Sequence, residues 1–419
     1  MSGYKSQFYK KKFQIFVVLV IFLFVTIVST LFVDSSAKAI PPEPAYEPID
    51  RFGITIPYRS GDYVSLVEQV NARAVLDWKS DDIGEWPDNI EYLHVLRVSD
   101  AAYNNGAILD TLPDLIQSNL GEVWIIGNEP DRYYYQDSVT PEVYAQRYFD
   151  IAIRIRYLDP TAKLGFGSVV QPTPIRIRYL ERALNYLTYL SCGNRQAALD
   201  LIDIWSIHAF ILNEELDKWG AGIPVGLEDD VSDAFLIPID RISDTHSIEI
   251  FQNWIINFRI WLYSIGEQEK PLWITEYGSL LPPIDPPNGP NYVNVSDEIT
   301  SQYMIDTFDF LLSVTDSNAG YQADENHLVQ RWFWYSLNEY RYVFGGTLFD
   351  PDKEFEQTLV GAKYENYTDQ ILLNPTSGIN PVLYRQTGPE YPIYYDDFLE
   401  TYNYPYEICY RSQLPLVLK

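Results

Sequence analysis

Two glutamates in this chain each close a strand-like apolar run. Glu129 ends Trp124-Ile125-Ile126-Gly127-Asn128-Glu129-Pro130-Asp131, and Glu276 ends Leu272-Trp273-Ile274-Thr275-Glu276, with Tyr277 and Gly278 following. A pair of carboxyls suits the cleavage of an acetal C–O bond, because the departing oxygen must be protonated while the anomeric carbon is attacked. One carboxyl then has to hold a proton near neutral pH while the other stays ionised, so their surroundings must push the two pKa values apart. Either tripeptide alone is weak evidence: Asn-Glu-Pro also fits a turn before a proline, and the second glutamate fits a solvated strand end. Their joint placement at two strand ends is the stronger signal.

Short apolar runs alternate with longer amphipathic ones, the pattern of βα units around a parallel sheet. Eight strand candidates follow: Arg51 to Pro57, Ala72 to Trp78, Tyr92 to Ser99, Glu122 to Asn128, Lys163 to Val169, Ile202 to Ala209, Leu272 to Glu276 and Arg331 to Ser336. The clearest helix runs from Pro141 to Leu158, with Thr140 as N-cap and Asp159-Pro160 as stop; another spans about Ile299 to Leu312. The unit between the second and third strands is irregular. Eight such units predict an α/β fold, a (β/α)8 TIM barrel whose active site lies at the C-terminal strand ends. Residues able to do chemistry fall there: Trp78 ends the second strand, Glu129 the fourth, His208 the sixth and Glu276 the seventh, and Trp334 lies near the end of the eighth. Strict alternation would place Ile125, Gly127 and Glu129 on one face, and Leu272, Ile274 and Glu276 on one face.

From about Phe52 to Tyr384 the sequence resembles the clan A glycoside hydrolases, retaining enzymes on a (β/α)8 barrel. The likeness rests on Asn128-Glu129-Pro130 closing the fourth strand, the SIHAF run with His208 on the sixth, and Thr275-Glu276-Tyr277 on the seventh. It is most like the compact members that include β-1,3-glucan hydrolases. The resemblance implies that Glu129 is the acid/base, its pKa raised by the nearby Glu276 charge, and that Glu276 is the nucleophile. It also implies that Asn128 donates to a sugar 2-hydroxyl, and His208 orients a carboxylate or binds a hydroxyl. Trp334 and Trp78 would offer flat apolar faces to a sugar ring. Arg97 is a candidate for the arginine such enzymes carry near the nucleophile. No cofactor and no metal are expected. The alternatives are a non-catalytic carbohydrate-binding barrel and a transglycosylase using the same intermediate.

Lys5, Lys10, Lys11 and Lys12 precede an uncharged apolar run, Phe13 to Val33, followed by Ala37-Lys38-Ala39. That order reads as a signal peptide or membrane anchor over 1–39, exporting the body of the protein to the extracellular side as a secreted or anchored chain. A proline-rich linker (40–50), the catalytic barrel (51–395) and a tyrosine-rich tail packing on it (396–419) complete the expected organisation. The net charge of -28 argues against nucleic acid and anionic lipid as partners and is indifferent to a neutral carbohydrate. The only membrane contact expected is a tether through residues 13–33, and the expected state is a monomer. With two cysteines, Cys192 and Cys409, and four scattered histidines, neither a disulfide scaffold nor a transition-metal site is indicated, though one long-range bridge is open. Three loops, Ile211 to Ser247, Leu280 to Asp297 and Leu337 to Asn380, would wall a cleft.

Overall fold

A computed structural model describes residues 46–81, 86–229, 231–283, 295–374 and 382–383. The leader, most of the linker, Cys409 and the tail from 396 lie outside the described residues. Among those described, no helix is long and apolar enough to cross a membrane.

Eight parallel strands close into a barrel in sequence order: β1 (Phe52–Thr55), β2 (Ala74–Leu76), β3 (Glu91–Leu96), β4 (Val123–Ile126), β5 (Lys163–Val169), β6 (Ile204–His208), β7 (Leu272–Gly278) and β8 (Arg331–Tyr335). Pairing of Phe52 with Trp332 and of Ile54 with Trp334 shuts the ring. All eight expected strands are present. Around them lie α1 (Tyr63–Gln69), α2 (Ile108–Ser118), α3 (Pro141–Leu158), α4 (Pro174–Leu190), α5 (Ile248–Ser264), α6 (Asp297–Ser313) and α7 (Leu359–Leu373). Helix α3 starts as its sequence dictates, with the Thr140 hydroxyl accepting from Val143 N–H and proline at the first helical position. The described residues between β2 and β3 contain no helix, matching the irregular unit. The stretch Leu337 to Asn380, expected as a loop, contains α7: its apolar positions Val360, Tyr364 and Ile371 recur at helical spacing and are buried.

Two apolar layers explain the alternation along the strands. An inner cluster draws all its buried members from strands: Ala74, Leu76, Leu93, Val95, Val123, Ile125, Ile204, Trp273 and Phe333. The outer cluster joins the alternate strand residues, among them Trp124, Trp205, Leu272, Ile274, Trp332 and Trp334, to the helices. Burying each such side chain contributes roughly 1.5–3 kcal/mol. Large and small residues complement each other inside: a Cβ on Gly53 would meet the Phe333 ring at 2.5 Å, and one on Gly165 would meet Ile125 Cδ1 at 2.5 Å.

The alternation breaks at the C-terminal mouth, and the two expected shared faces do not exist. Leu272 and Ile274 belong to the outer layer. A register shift between Ile207 and His208 of β6 then sets Glu276 opposite His208, one residue beyond where regular pairing would put it. The extra residue of such a bulge re-aims the side chains that follow it. On β4, Gly127 has φ +94°, and a Cβ there would point at the Tyr144 ring, 2.9 Å away, on the helix side rather than with Ile125. A third irregularity sits at Gly167 on β5. The Tyr144 hydroxyl, from α3, closes the gap it leaves by donating to Ile126 O (3.0 Å) and accepting from Gly167 N–H (2.8 Å).

Gly127→Ala forces a side chain into left-handed backbone and into the Tyr144 ring. It should lower unfolding free energy by roughly 1–3 kcal/mol, read as a reduced urea midpoint with unchanged slope; an unaltered midpoint would mean that Tyr144 does not depend on that space.

Candidate active site

Glu129, His208 and Glu276 meet at the barrel mouth. Their side chains are 1 %, 1 % and 6 % exposed, and one ligand-type atom from each lies within 4.8 Å of the others. His208 stands between the carboxyls: Nδ1 is 3.1 Å from Glu129 Oε1 and Nε2 is 3.3 Å from Glu276 Oε1. The Glu129 backbone takes φ +42° and donates its N–H to Ser168 O (2.9 Å), which carries the chain off the strand path. Glu276 is held from the barrel side, its O accepting from Ala209 N–H (2.9 Å) and its carboxylate from Trp78 Nε1–H.

The donors around each carboxyl differ, and that difference places the proton. Arg132 Nη1 donates to Glu129 Oε2 at 3.1 Å. Burial would raise Glu129, but the Arg132 charge and the His208 hydrogen bond outweigh it and hold the group low, at about 2. Burial pushes Glu276 up to about 7; the His208 charge opposes this, and the negative charge of Glu129 adds to it. Burial would lower His208, yet the charges of Glu276 and Glu129 raise it above its ordinary value. The two carboxyls are thus pushed apart with Glu129 lowered and Glu276 raised, the reverse of the expectation that Glu129 carries the raised value. Burial raises Glu276, and Arg132 lowers Glu129 from three residues away, across a turn in which its N–H donates to Glu129 O (3.1 Å).

A neutral imidazole between two ionised carboxylates would leave one nitrogen lone pair facing an anionic oxygen. The favoured states carry one further proton, as an imidazolium or as a carboxylic acid. The same three side chains are of types that bind divalent cations. Here N–H donors of Trp78, Arg132 and His208 occupy the carboxylate lone pairs, and the guanidinium charge beside Glu129 disfavours a cation, so the site does not fit a metal.

The other expected site residues divide. Asn128 is buried, its amide donating to Gln136 Oε1 (2.9 Å) and its N–H to Asp137 Oδ2 (2.8 Å). Trp78 is half-buried at the mouth against Glu276. Trp334 is not at the mouth: its ring is fully buried in the outer layer, 5.3 Å edge-on to Tyr277, with Nε1–H donating to Gly346 O at 2.7 Å. It cannot stack on a sugar. The inward phase of β8 is Arg331, Phe333 and Tyr335, and Tyr335 is the aromatic residue at the mouth, 5.9 Å from the Trp78 ring and 6.0 Å from Phe210. Arg97 donates its Nε–H to Asp137 Oδ1 (2.6 Å), and its charge lowers Glu276 only as the last of several influences.

Behind Glu129, Arg176 of α4 is wholly buried and ion-paired to Asp131 and to Glu214, the latter at 2.7 Å. Glu214 comes from the long segment after β6 and also accepts from Thr173 Oγ1–H and Phe235 N–H. Removing one member would leave a buried charge uncompensated, so this network fixes the loop that carries Glu129.

No family model matches the sequence, and no curated protein matches it. Solved structures with a similar fold include a GH128 (subgroup I) endo-β-1,3-glucanase from Amycolatopsis mediterranei in complex with laminaritriose, 14 % identical, covering 76 % of this chain and 99 % of that one, with a TM-score of 0.46. A GH128 (subgroup III) curdlan-specific exo-β-1,3-glucanase from Blastomyces gilchristii is 15 % identical, with 76 % and 99 % covered and a TM-score of 0.46. A monomeric β-xylosidase from Caulobacter crescentus CB15 is 12 % identical, with 77 % and 69 % covered and a TM-score of 0.49. At these scores the likeness adds nothing to the strand order read directly from the barrel.

Folding keeps on Glu276 a proton that an unfolded glutamate loses above about 4.3. Its contribution to stability is therefore complete below that pH and lost as pH rises through about 7. Glu276→Gln cannot ionise. It should match the parent near pH 4 and exceed it by on the order of 2–3 kcal/mol at pH 8 in chemical denaturation; equal stability at both pH values would show that Glu276 is not raised.

Proposed function

We propose that this chain is a glycoside hydrolase that cleaves a β-linked oligosaccharide or polysaccharide by double displacement, with Glu276 as nucleophile and Glu129 as acid/base. The observation that carries this reading is the pair of buried carboxyls, one oxygen of each within 4.8 Å of one of the other, at the C-terminal mouth of a parallel barrel. Retaining enzymes hold their two carboxyls about 5–5.5 Å apart, whereas inverting ones need roughly 6.5–9.5 Å to admit water. The short separation supports retention.

Glu276 attacks the anomeric carbon while Glu129 gives its proton to the departing glycosidic oxygen; Glu129 then takes a proton from the water that releases the sugar from Glu276. At the moment of attack the proton must lie on Glu129. A glycosidic oxygen entering beside Glu129 takes the place of the Arg132 hydrogen bond, and movement of the guanidinium away from the carboxylate weakens the charge that holds that group low. His208, close to both carboxyls, offers the path by which the proton crosses. Trp78 and Tyr335 border the attacked sugar on the Glu276 side. The lysine-flanked apolar leader supports a reading in which the enzyme is secreted or tethered outside the cell, and the proposed state is a monomer acting on a neutral glycan.

A second reading exchanges the two roles, and the contact of Arg132 with Glu129 favours it, since an ionised carboxylate is what a nucleophile requires. Rescue by azide separates the two. On a substrate that the parent cleaves from a panel of aryl β-glycosides, Glu276→Gly should be inactive, and azide should restore turnover to a glycosyl azide of inverted configuration. Glu129→Ala should lose roughly 10²–10⁴-fold where the leaving group needs a proton, keep its first step on activated leaving groups, and give an azide product of retained configuration. Inverted product from the Glu129 variant would exchange the roles; near-normal activity in both variants would remove the pair from catalysis.

A further inference from the structure

Between Glu129 and α3 the chain makes an excursion, 131–139, that returns to its own starting point. At its base Val139 N–H donates to Pro130 O (2.8 Å) and Asp137 N–H to Asn128 O (3.3 Å). The buried Asp137 carboxylate accepts from the backbone N–H of Asn128 (2.8 Å) and Val98 (2.9 Å), and Arg132 reaches Glu129 itself. The base is thus fixed to the candidate acid/base. The tip carries Tyr133, Tyr134 and Tyr135. Tyr134 and Tyr135 are 70 % and 100 % exposed, and both hold left-handed backbone, φ +58° and +63°. That conformation is costly for a bulky side chain, and burial returns nothing for it here. The Tyr133 hydroxyl is tied to the Glu228 carboxylate in the segment after β6, and its ring lies 5.9 Å from that of Tyr134.

A rigid base and two displayed phenol rings describe a surface for flat apolar faces, and sugar rings have such faces. The net charge of -28 repels anionic ligands and leaves neutral sugars unopposed. An acid must stand beside the leaving group, and the excursion grows directly out of Glu129. Resting on Glu129 as the acid, we propose that Tyr134 and Tyr135 form a sugar-stacking platform on the leaving-group side, so that the preferred substrates are chains with sugars beyond the cleaved bond. The Trp78 and Tyr335 pair then serves the other side of the cut, and a chain spans both.

The test compares Tyr134→Ala, Tyr135→Ala and the double variant with the parent. The probes are the hexasaccharides of β-1,3-glucan, β-1,4-xylan and β-1,4-mannan, and the 4-nitrophenyl monoglycoside of whichever sugar the parent cleaves, which has no sugar beyond the scissile bond. The double variant should lose about tenfold in kcat/KM on the hexasaccharide, mainly through KM, and stay within about twofold on the aryl glycoside. Tyr135→Trp should keep hexasaccharide activity. Melting temperatures should equal the parent's, since both rings are exposed. Equal losses on the two substrates, or no loss on the hexasaccharide, would overturn the platform while leaving hydrolysis intact. A loss on the aryl glycoside alone would put the tyrosines on the wrong side of the cut and overturn it as well. If the parent cleaves none of these probes and no member of the aryl β-glycoside panel, the hydrolase reading fails and this one fails with it.

Discussion

Two buried carboxyl groups with an oxygen of each within 4.8 Å of the other cannot both carry a full negative charge unless protons or cations stand beside them. The arrangement at the barrel mouth answers that constraint. Arg132 pairs with Glu129 and holds it low, burial holds Glu276 high, and His208 lies within 3.3 Å of both carboxylates, so the two groups are set apart in acidity. A structure built only for stability has no reason to keep such a pair, because burying charge costs more than an apolar replacement would. A site that must protonate an oxygen and attack a carbon in one event needs this pair.

The barrel supplies the position, and departures from regular strand geometry supply the aim. Had β7 paired regularly, the residue facing the axis would not be Glu276; the shift opposite Ile207 and His208 turns it inward. On β4 the same service is done by left-handed backbone at Gly127 and Glu129. These departures free backbone groups near the site, and the Tyr144 hydroxyl satisfies one on β4 and one on β5. Core packing, polar accounting and the direction of a carboxylate are therefore coupled through one helix residue. The Arg176 network plays the corresponding part on the loop side, fastening Asp131, two residues beyond Glu129, to the segment after β6.

The strands were legible because barrel strands are buried on both faces and read as short apolar runs between turn signals. Helix α3 was legible from its cap and its proline. Strand-end logic located Glu129, His208 and Glu276 without knowledge of their contacts. It could not find the register shifts: one falls at Gly167 on β5, but that between β6 and β7 has no glycine to mark it. The run Trp332-Phe333-Trp334-Tyr335 is aromatic throughout, so hydrophobicity alone does not fix its phase; reading it one residue out picked Trp334 where Tyr335 faces the mouth. Arg132 is brought to Glu129 by a local turn, but Asp137 reaches Asn128 N–H through a loop that folds back on its own origin, and the sequence pattern carries no sign of that.

Capture of the covalent intermediate bears most directly on the central claim that Glu276 attacks carbon while Glu129 handles the proton. Activated 2-deoxy-2-fluoro β-glucosides, β-xylosides and β-mannosides slow the release step more than the attack, so a retaining enzyme accumulates as its glycosyl form. Protein mass spectrometry followed by peptide mapping should find one sugar per chain, on the peptide containing Glu276, with loss of activity in step with labelling. A label on Glu129, or full turnover of a cleavable substrate with no labelled chain under any of the three reagents, would contradict the account.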